Sequence, residues 1–241
     1  MYAGFQSSHT THEVIFVNQD LHCLFGMHQC LSEFGPFPAP SAVQSLVALG
    51  YTEHSFAHVV HVAETAGYIL QTLGYDKRTV ELAKIAGYLH DIGNLVNRKD
   101  HSQSGAVMAW SILNDMGCDP GEMATIVTAI GNHDEGTGVP VNAVAAALIL
   151  ADKADVRRSR VRNTDPATFD IHDRVNYSVK KSALKINEDK TLVKLKLTVD
   201  TKFGSVMEFF GIFMQRMVLC RMAAERLGLQ FKLIINEQQL I

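Results

Sequence analysis

A chain of 241 residues, 47% hydrophobic and 20% charged, is long enough to bury a sizeable core and has the composition of a globular protein. Its formal charge of −3 gives no general electrostatic attraction for nucleic acid or a membrane surface. No apolar run reaches a membrane span, no N-terminal stretch reads as a signal peptide, and the four cysteines form no CxxC or zinc-knuckle spacing, so the expectation is reduced thiols in the cytoplasm.

Residues 1–45 carry the weakest signals. Residues 14–17 suggest a short strand and 20–34 a short helix, before Pro36, Pro38 and Pro40 break regular structure. His9, His12, His22 and His28 share no obvious face and read as surface or packing residues. Helical character begins with 41–49, and after Gly50 a helix capped by Thr52 runs to Leu73. In it His54, His58 and His61 stand at i, i+4 and i+7 on one face, beside an apolar stripe of Val62, Ala66, Ile69 and Leu73. Three imidazoles on one face point to metal ligation by at least one of them.

Gly74 closes that helix, and Asp76 or Thr79 can cap the next, where Leu82, Ile85, Ala86 and Leu89 recur at helical spacing. It ends on Tyr88-Leu89-His90-Asp91-Ile92-Gly93-Asn94, with Gly93 expected to let the chain turn away. Neighbouring residues on a helix point about 100° apart. His90 and Asp91 can therefore reach one ion together, or one can bind while the other bridges. His101 leads into a helix expected over 106–116, and Pro120 opens another that ends near His133. A glycine-rich loop, 135–140, precedes the most apolar helix, 142–155. Asp152 in that setting is costly unless paired or metal-bound. Imidazole and carboxylate together suit Fe, Mn, Zn, Co or Ni, and carboxylate-rich sites extend this to Mg.

Arg157, Arg158, Arg160 and Arg162 follow. Lys153 and Arg157, at i and i+4, would share a helical face, and arginine's forked donors suit phosphate oxygens, so both are expected substrate contacts. Beyond about residue 165 the period changes. Residues 175–186 and 192–199 contain period-two segments on either side of Asn187-Glu188-Asp189-Lys190 and read as a β-hairpin. A long apolar helix over 203–227, closed by Gly228, and a final strand over 231–235 complete the chain. The expected organisation is an N-terminal segment (1–45), a helical domain (46–165) and a small α+β appendage (166–241) that packs on the helices or builds a homodimer contact.

The pattern His58-x-x-x-Val62-Ala63, His90-Asp91-Ile92-Gly93, His101 before Gly105, His133 and Ala151-Asp152-Lys153 resembles the HD-domain superfamily of metal-dependent phosphohydrolases, over roughly residues 46–162. The resemblance implies a mainly α fold, an HD-type helical bundle with the α+β segment appended. It implies that His58, His90, Asp91 and Asp152 hold one divalent ion and that His101 and His133 add a second. Asp91 would bridge the ions or steer the attacking water, and His54 would stand beside the ligands facing the substrate. Asn94, where the cyclic-dinucleotide phosphodiesterases carry a lysine, joins Lys153 and Arg157 as an expected substrate contact. The sequence departs from those enzymes further, with His133-Asp134 in place of paired histidines and Gly138-Val139-Pro140 only echoing their Gly-Tyr-Pro. The implied reaction is hydrolysis of a small, nucleotide-like phosphomonoester or phosphodiester, with one or two Fe, Mn, Mg, Co, Ni or Zn ions per chain activating water. Two other readings fit the same residues: a di-iron oxygenase of this fold, and a non-catalytic metal- or nucleotide-binding sensor.

Overall fold

The computed structural model describes residues 56–161, 165, 168, 169, 171–203 and 206–240. The expectations for 14–17, 20–34 and 41–49, for Pro36, Pro38 and Pro40, for His9, His12, His22 and His28, and for Thr52, His54 and Arg162 lie outside the described residues.

Five helices build the part that carries the histidines: α1 (Phe56–Leu73), α2 (Lys77–Leu89), α3 (His101–Asp115), α4 (Pro120–Gly131) and α5 (Ala143–Ala154). Local chemistry starts three of them. Asp76 accepts from the Thr79 amide at 3.0 Å, Asp119 accepts from the Gly121 and Glu122 amides ahead of α4, and Asn142 accepts from the Ala145 amide at 2.7 Å. The α5 helix is buried on every side from Val144 to Ala151 and packs against α1, α2 and α4. Each of its large residues, Leu148, Ile149 and Leu150, contributes about 1.5–3 kcal/mol on burial. The α1 and α2 helices cross so closely that a Cβ on Gly87 would lie 2.6 Å from the Ala63 Cα.

Three local expectations are corrected. Helix α3 begins at His101, five residues before the expected start at Ala106, because Asp100 takes a left-handed φ of 58° and turns the chain directly into the helix. Gly93 does not serve a left-handed turn. It lies in a 3₁₀ turn (Ile92–Leu95) pressed against α3, where a Cβ would come within 1.9 Å of the His101 carbonyl oxygen. Helix α5 ends at Ala154, and Arg157 is extended at φ −159°, ψ 149°, so Lys153 and Arg157 do not share a helical face.

The C-terminal segment holds α6 (Ile171–Ser178), the strands β1 (Val179–Ile186) and β2 (Leu192–Val199), α7 (Val206–Arg226), and the strands β3 (Gln230–Ile235) and β4 (Gln238–Gln239). Residues 175–178, expected to begin the hairpin, are helical instead. The sheet order is β1-β2-β3-β4, with β1 antiparallel to β2 and β3 antiparallel to β4. The β2 and β3 strands are parallel, Leu195 opposite Leu233, and α7 is the crossover between them. Val193, Leu195, Leu197 and Val199 are buried and alternate with exposed Lys194, Lys196 and Thr198. The α7 helix packs against α5, β3 and α6. The segment meets the helices at α5: α7 lies against it, and Ser182 Oγ donates to the Ala154 carbonyl at 2.5 Å. The whole is mainly α, a helical bundle with a small α+β appendage. No helix among the described residues is long and apolar enough to cross a membrane.

Candidate metal centre

Helix ends place most of the expected ligands. His90 and Asp91 follow the last residue of α2, His101 is the first residue of α3, and His133 stands two residues past α4. Asp152 lies in the last turn of α5, and His58 in the first turn of α1. His58, His90, Asp91, His101 and His133 are all buried. A carboxylate buried among imidazoles is stable only if positive charge or hydrogen bonds compensate it.

The Asp91 carboxylate lies at the middle. Its Oδ2 is 3.5 Å from His58 Nε2 and 3.4 Å from His90 Nε2, while its Oδ1 is 3.4 Å from His101 Nε2. Asp152 Oδ1 closes the first side, 3.4 Å from His58 Nε2 and 3.7 Å from His90 Nε2. On the second side His101 Nε2 and His133 Nε2 are 3.2 Å apart. Two sets of donor atoms, His58–His90–Asp152 and His90–Asp91–His133, each lie within 4.8 Å of one another.

The far nitrogen of every ring is engaged. His90 Nδ1 donates to the Gly87 carbonyl at 2.7 Å, His133 Nδ1 to the Ile130 carbonyl at 2.6 Å, and His101 Nδ1 to the Arg98 carbonyl at 3.1 Å. His58 Nδ1 pairs with Asp155 Oδ2 at 2.7 Å. Since a carbonyl can only accept, these bonds place the ring proton on Nδ1 and aim the Nε2 lone pairs inward, as metal-ligating histidines require. The buried His90 Nε2 has no hydrogen-bond partner among the described residues. The donor set and this orphaned nitrogen fit a divalent cation, with Asp91 able to share its two oxygens between two ions.

The two sides differ electrostatically. Burial lowers the His90 pKa, but the Asp91 and Asp152 carboxylates outweigh it and hold the imidazole up at about 10. His58 is raised as well: burial and the Arg160 charge pull it down, and the Asp152, Asp155 and Asp91 carboxylates overcome both. His133 falls to about 3 and His101 to about 4, chiefly by burial, with neighbouring positive charges adding to the drop. Asp152 stays ionised well below the usual carboxylate range. Burial opposes this, and the Lys153, His58 and His90 charges prevail.

The other expected site residues fall into place around this core. The Asn94 Nδ2 donates to both the Asp91 carbonyl (3.0 Å) and Asp91 Oδ1 (2.9 Å), so this amide orients the carboxylate. Lys153 is buried and bound to Asp152 Oδ2 at 2.8 Å and Glu135 Oε2 at 2.9 Å. Arg157 pairs with Asp155 at 2.8 Å. His61, expected beside His58, has a largely exposed ring whose Nε2 is 3.8 Å from Asp155 Oδ1. Four participants escaped the sequence reading: Asp155, Glu135, Arg98, whose Nη1 lies 3.1 Å from His101 Nε2, and Arg216. Asp155 had a signal, three residues after Asp152 at the end of the most apolar segment; the other three had none in the local pattern.

The family model for the HD domain matches residues 55–159. An uncharacterized protein of Methanocaldococcus jannaschii is 25% identical over 195 residues, which cover 71% of this chain and 74% of that protein. Ribonuclease Y 1 of Pediococcus pentosaceus is 34% identical over 104 residues, 42% of this chain and 18% of that enzyme. Ribonuclease Y of Thermus thermophilus is 32% identical over 123 residues, 48% of this chain and 19% of that enzyme. The chain thus spans about a fifth of the length of the ribonucleases that it matches.

Proposed function

We propose, from the match of residues 55–159 to the HD-domain model, that the chain is a metal-dependent phosphohydrolase and hydrolyses a phosphomonoester or phosphodiester of a nucleotide-like substrate. The observation that carries this reading is the Asp91 carboxylate, whose two oxygens each face imidazole Nε2 atoms across 3.4–3.5 Å. His58, His90, Asp91 and Asp152 would hold one ion, and Asp91, His101 and His133 a second. Divalent ions held there would lower the pKa of water toward neutrality and neutralise charge on the phosphoryl oxygens.

The chain's own groups set up that chemistry. Asp155 and the Gly87, Arg98 and Ile130 carbonyls hold the four imidazoles in the ligating tautomer. Asn94 fixes the rotation of Asp91. Arg98, part-exposed beside His101, is placed to meet an anionic group arriving at the second side, and its fork suits phosphate. The names of the ribonuclease relatives favour the diester branch of the proposal.

The test is a substrate panel of nucleoside monophosphates, cyclic dinucleotides and short RNA oligonucleotides, run with added Mn, Co or Mg on wild type and Asp91→Asn. The expected result is phosphate release or strand shortening by wild type, reduced at least about a hundredfold in the variant. Metal-replete wild type that turns over none of the panel, or a variant as active as wild type, refutes the proposal.

A further inference from the structure

The segment beyond residue 159 lies outside the HD-domain match, yet α7 sends one charged side chain toward the centre. The Arg216 guanidinium packs 5.0 Å from the centroid of the buried Phe213 ring, and its Nε donates to Glu135 Oε1. Glu135 Oε2 accepts from Lys153 Nζ at 2.9 Å, and Lys153 Nζ lies 2.8 Å from Asp152 Oδ2. The four charges alternate in sign from Arg216 to Asp152. All are largely withdrawn from water, with side chains 19%, 14%, 5% and 11% exposed in that order.

A lone ammonium beside a ligand carboxylate competes with a metal ion for that carboxylate's charge, strongly so where water is excluded. Glu135 divides the Lys153 ammonium between two carboxylates, and Arg216 holds Glu135 where it can do so. The Lys153 contact occupies Asp152 Oδ2 and leaves Oδ1 as the oxygen facing His58 and His90.

We propose that Arg216, 81 residues away from Glu135, is a positioning residue for the metal centre, acting through Glu135 and Lys153 to present one oxygen of Asp152 with its charge undiminished. The inference rests on the metal-centre reading above. It makes the C-terminal segment a working part of the centre and assigns Lys153 to charge balance.

The test titrates full-length wild type, Arg216→Met and Arg216→Lys with cobalt(II), following the visible absorption of the bound ion, with thermal unfolding to establish that each variant is folded. The methionine variant should bind cobalt about tenfold or more weakly with an altered spectrum. The lysine variant, which restores the charge, should recover most of the affinity. A folded methionine variant with wild-type affinity and spectrum overturns the inference. Should Arg216→Met fail to fold, the double variant Arg216→Met/Glu135→Met removes the ion pair without stranding a buried charge. There the ammonium falls on Asp152 alone, so the same loss is expected and unchanged affinity is again fatal. A wild type that takes up no cobalt defeats the metal-centre reading, and this inference with it.

Discussion

Around Oδ2 of Asp91, His58 and His90 stand among carboxylates; around Oδ1, His101 and His133 face one another. The first group is rich in carboxylates, which keep its imidazoles basic, whereas the second is held neutral by burial. Their supports differ as well. His58 leans on the Asp155 side chain, itself tied to Arg157, while His101 and His133 lean on backbone carbonyls at helix ends. A site with more carboxylate charge attracts a cation more strongly, and backbone supports give a neutral pair good aim without that attraction. The comparison teaches that two ions held by the same Asp91 would be held unequally, the tighter one beside Asp152.

The sharpest way to break the comparison is His133→Ala. Elemental analysis of protein purified without added metal should fall from about two ions per chain toward one, the ion beside Asp152 being retained. Loss of both ions would mean that the halves are not separable. Asp155→Asn attacks the other half. It should weaken the tighter site by about ten- to a hundredfold in a cobalt titration and leave the weaker one in place.

A subtler difference lies in protons. The carboxylates that raise His90 to about 10 favour a second proton, on its Nε2, when no ion is bound, so an ion binding beside it competes with that proton. His101 and His133, lowered to about 4 and 3, have none to lose above about pH 5. Affinity at the tighter site should therefore rise with pH from neutrality toward 10, and affinity at the weaker site should stay flat. Calorimetry in buffers of different ionisation enthalpy reads this directly, and equal proton release at both sites would contradict it.

The smallest effect belongs to a pair that joins α2, which leads to His90, with α4, which leads to His133. Arg78 binds Glu122 and Glu81 at the surface and holds the Glu122 carboxyl below its ordinary value. Because the folded-state pKa is depressed, the stabilisation is present at neutral pH and is lost as pH falls through it. Arg78→Ala should cost less than about 1 kcal/mol in denaturant unfolding, as partly exposed pairs do, and leave cobalt uptake in both halves unchanged.

What could be read from the chain follows the range of the forces involved. The α1, α2, α4 and α5 helices were legible because caps and apolar spacing act within a few residues, as at the Asp76 cap. The histidines and aspartates whose donor atoms lie near one another could be named from the chain because such residues at helix ends are few and their order is distinctive. Their directions were not. His58 and His61 share a helix, yet one is buried against Asp155 and the other faces outward. Asn94 and Lys153 read as substrate contacts, and the fold turns both toward carboxylates of the centre.

By itself, then, the sequence determined the helical bundle, the α+β character of the C-terminal segment and the roster of metal-type side chains, because each depends on local periodicity or residue chemistry. Only the tertiary structure decided that Asp91 stands between two unlike pairs of histidines, that Asp155 braces His58 across 97 residues, and that Arg216 reaches Glu135 across 81. Those arrangements depend on where buried charges find partners, and a buried charge takes whichever partner packing brings within reach, at any distance along the chain.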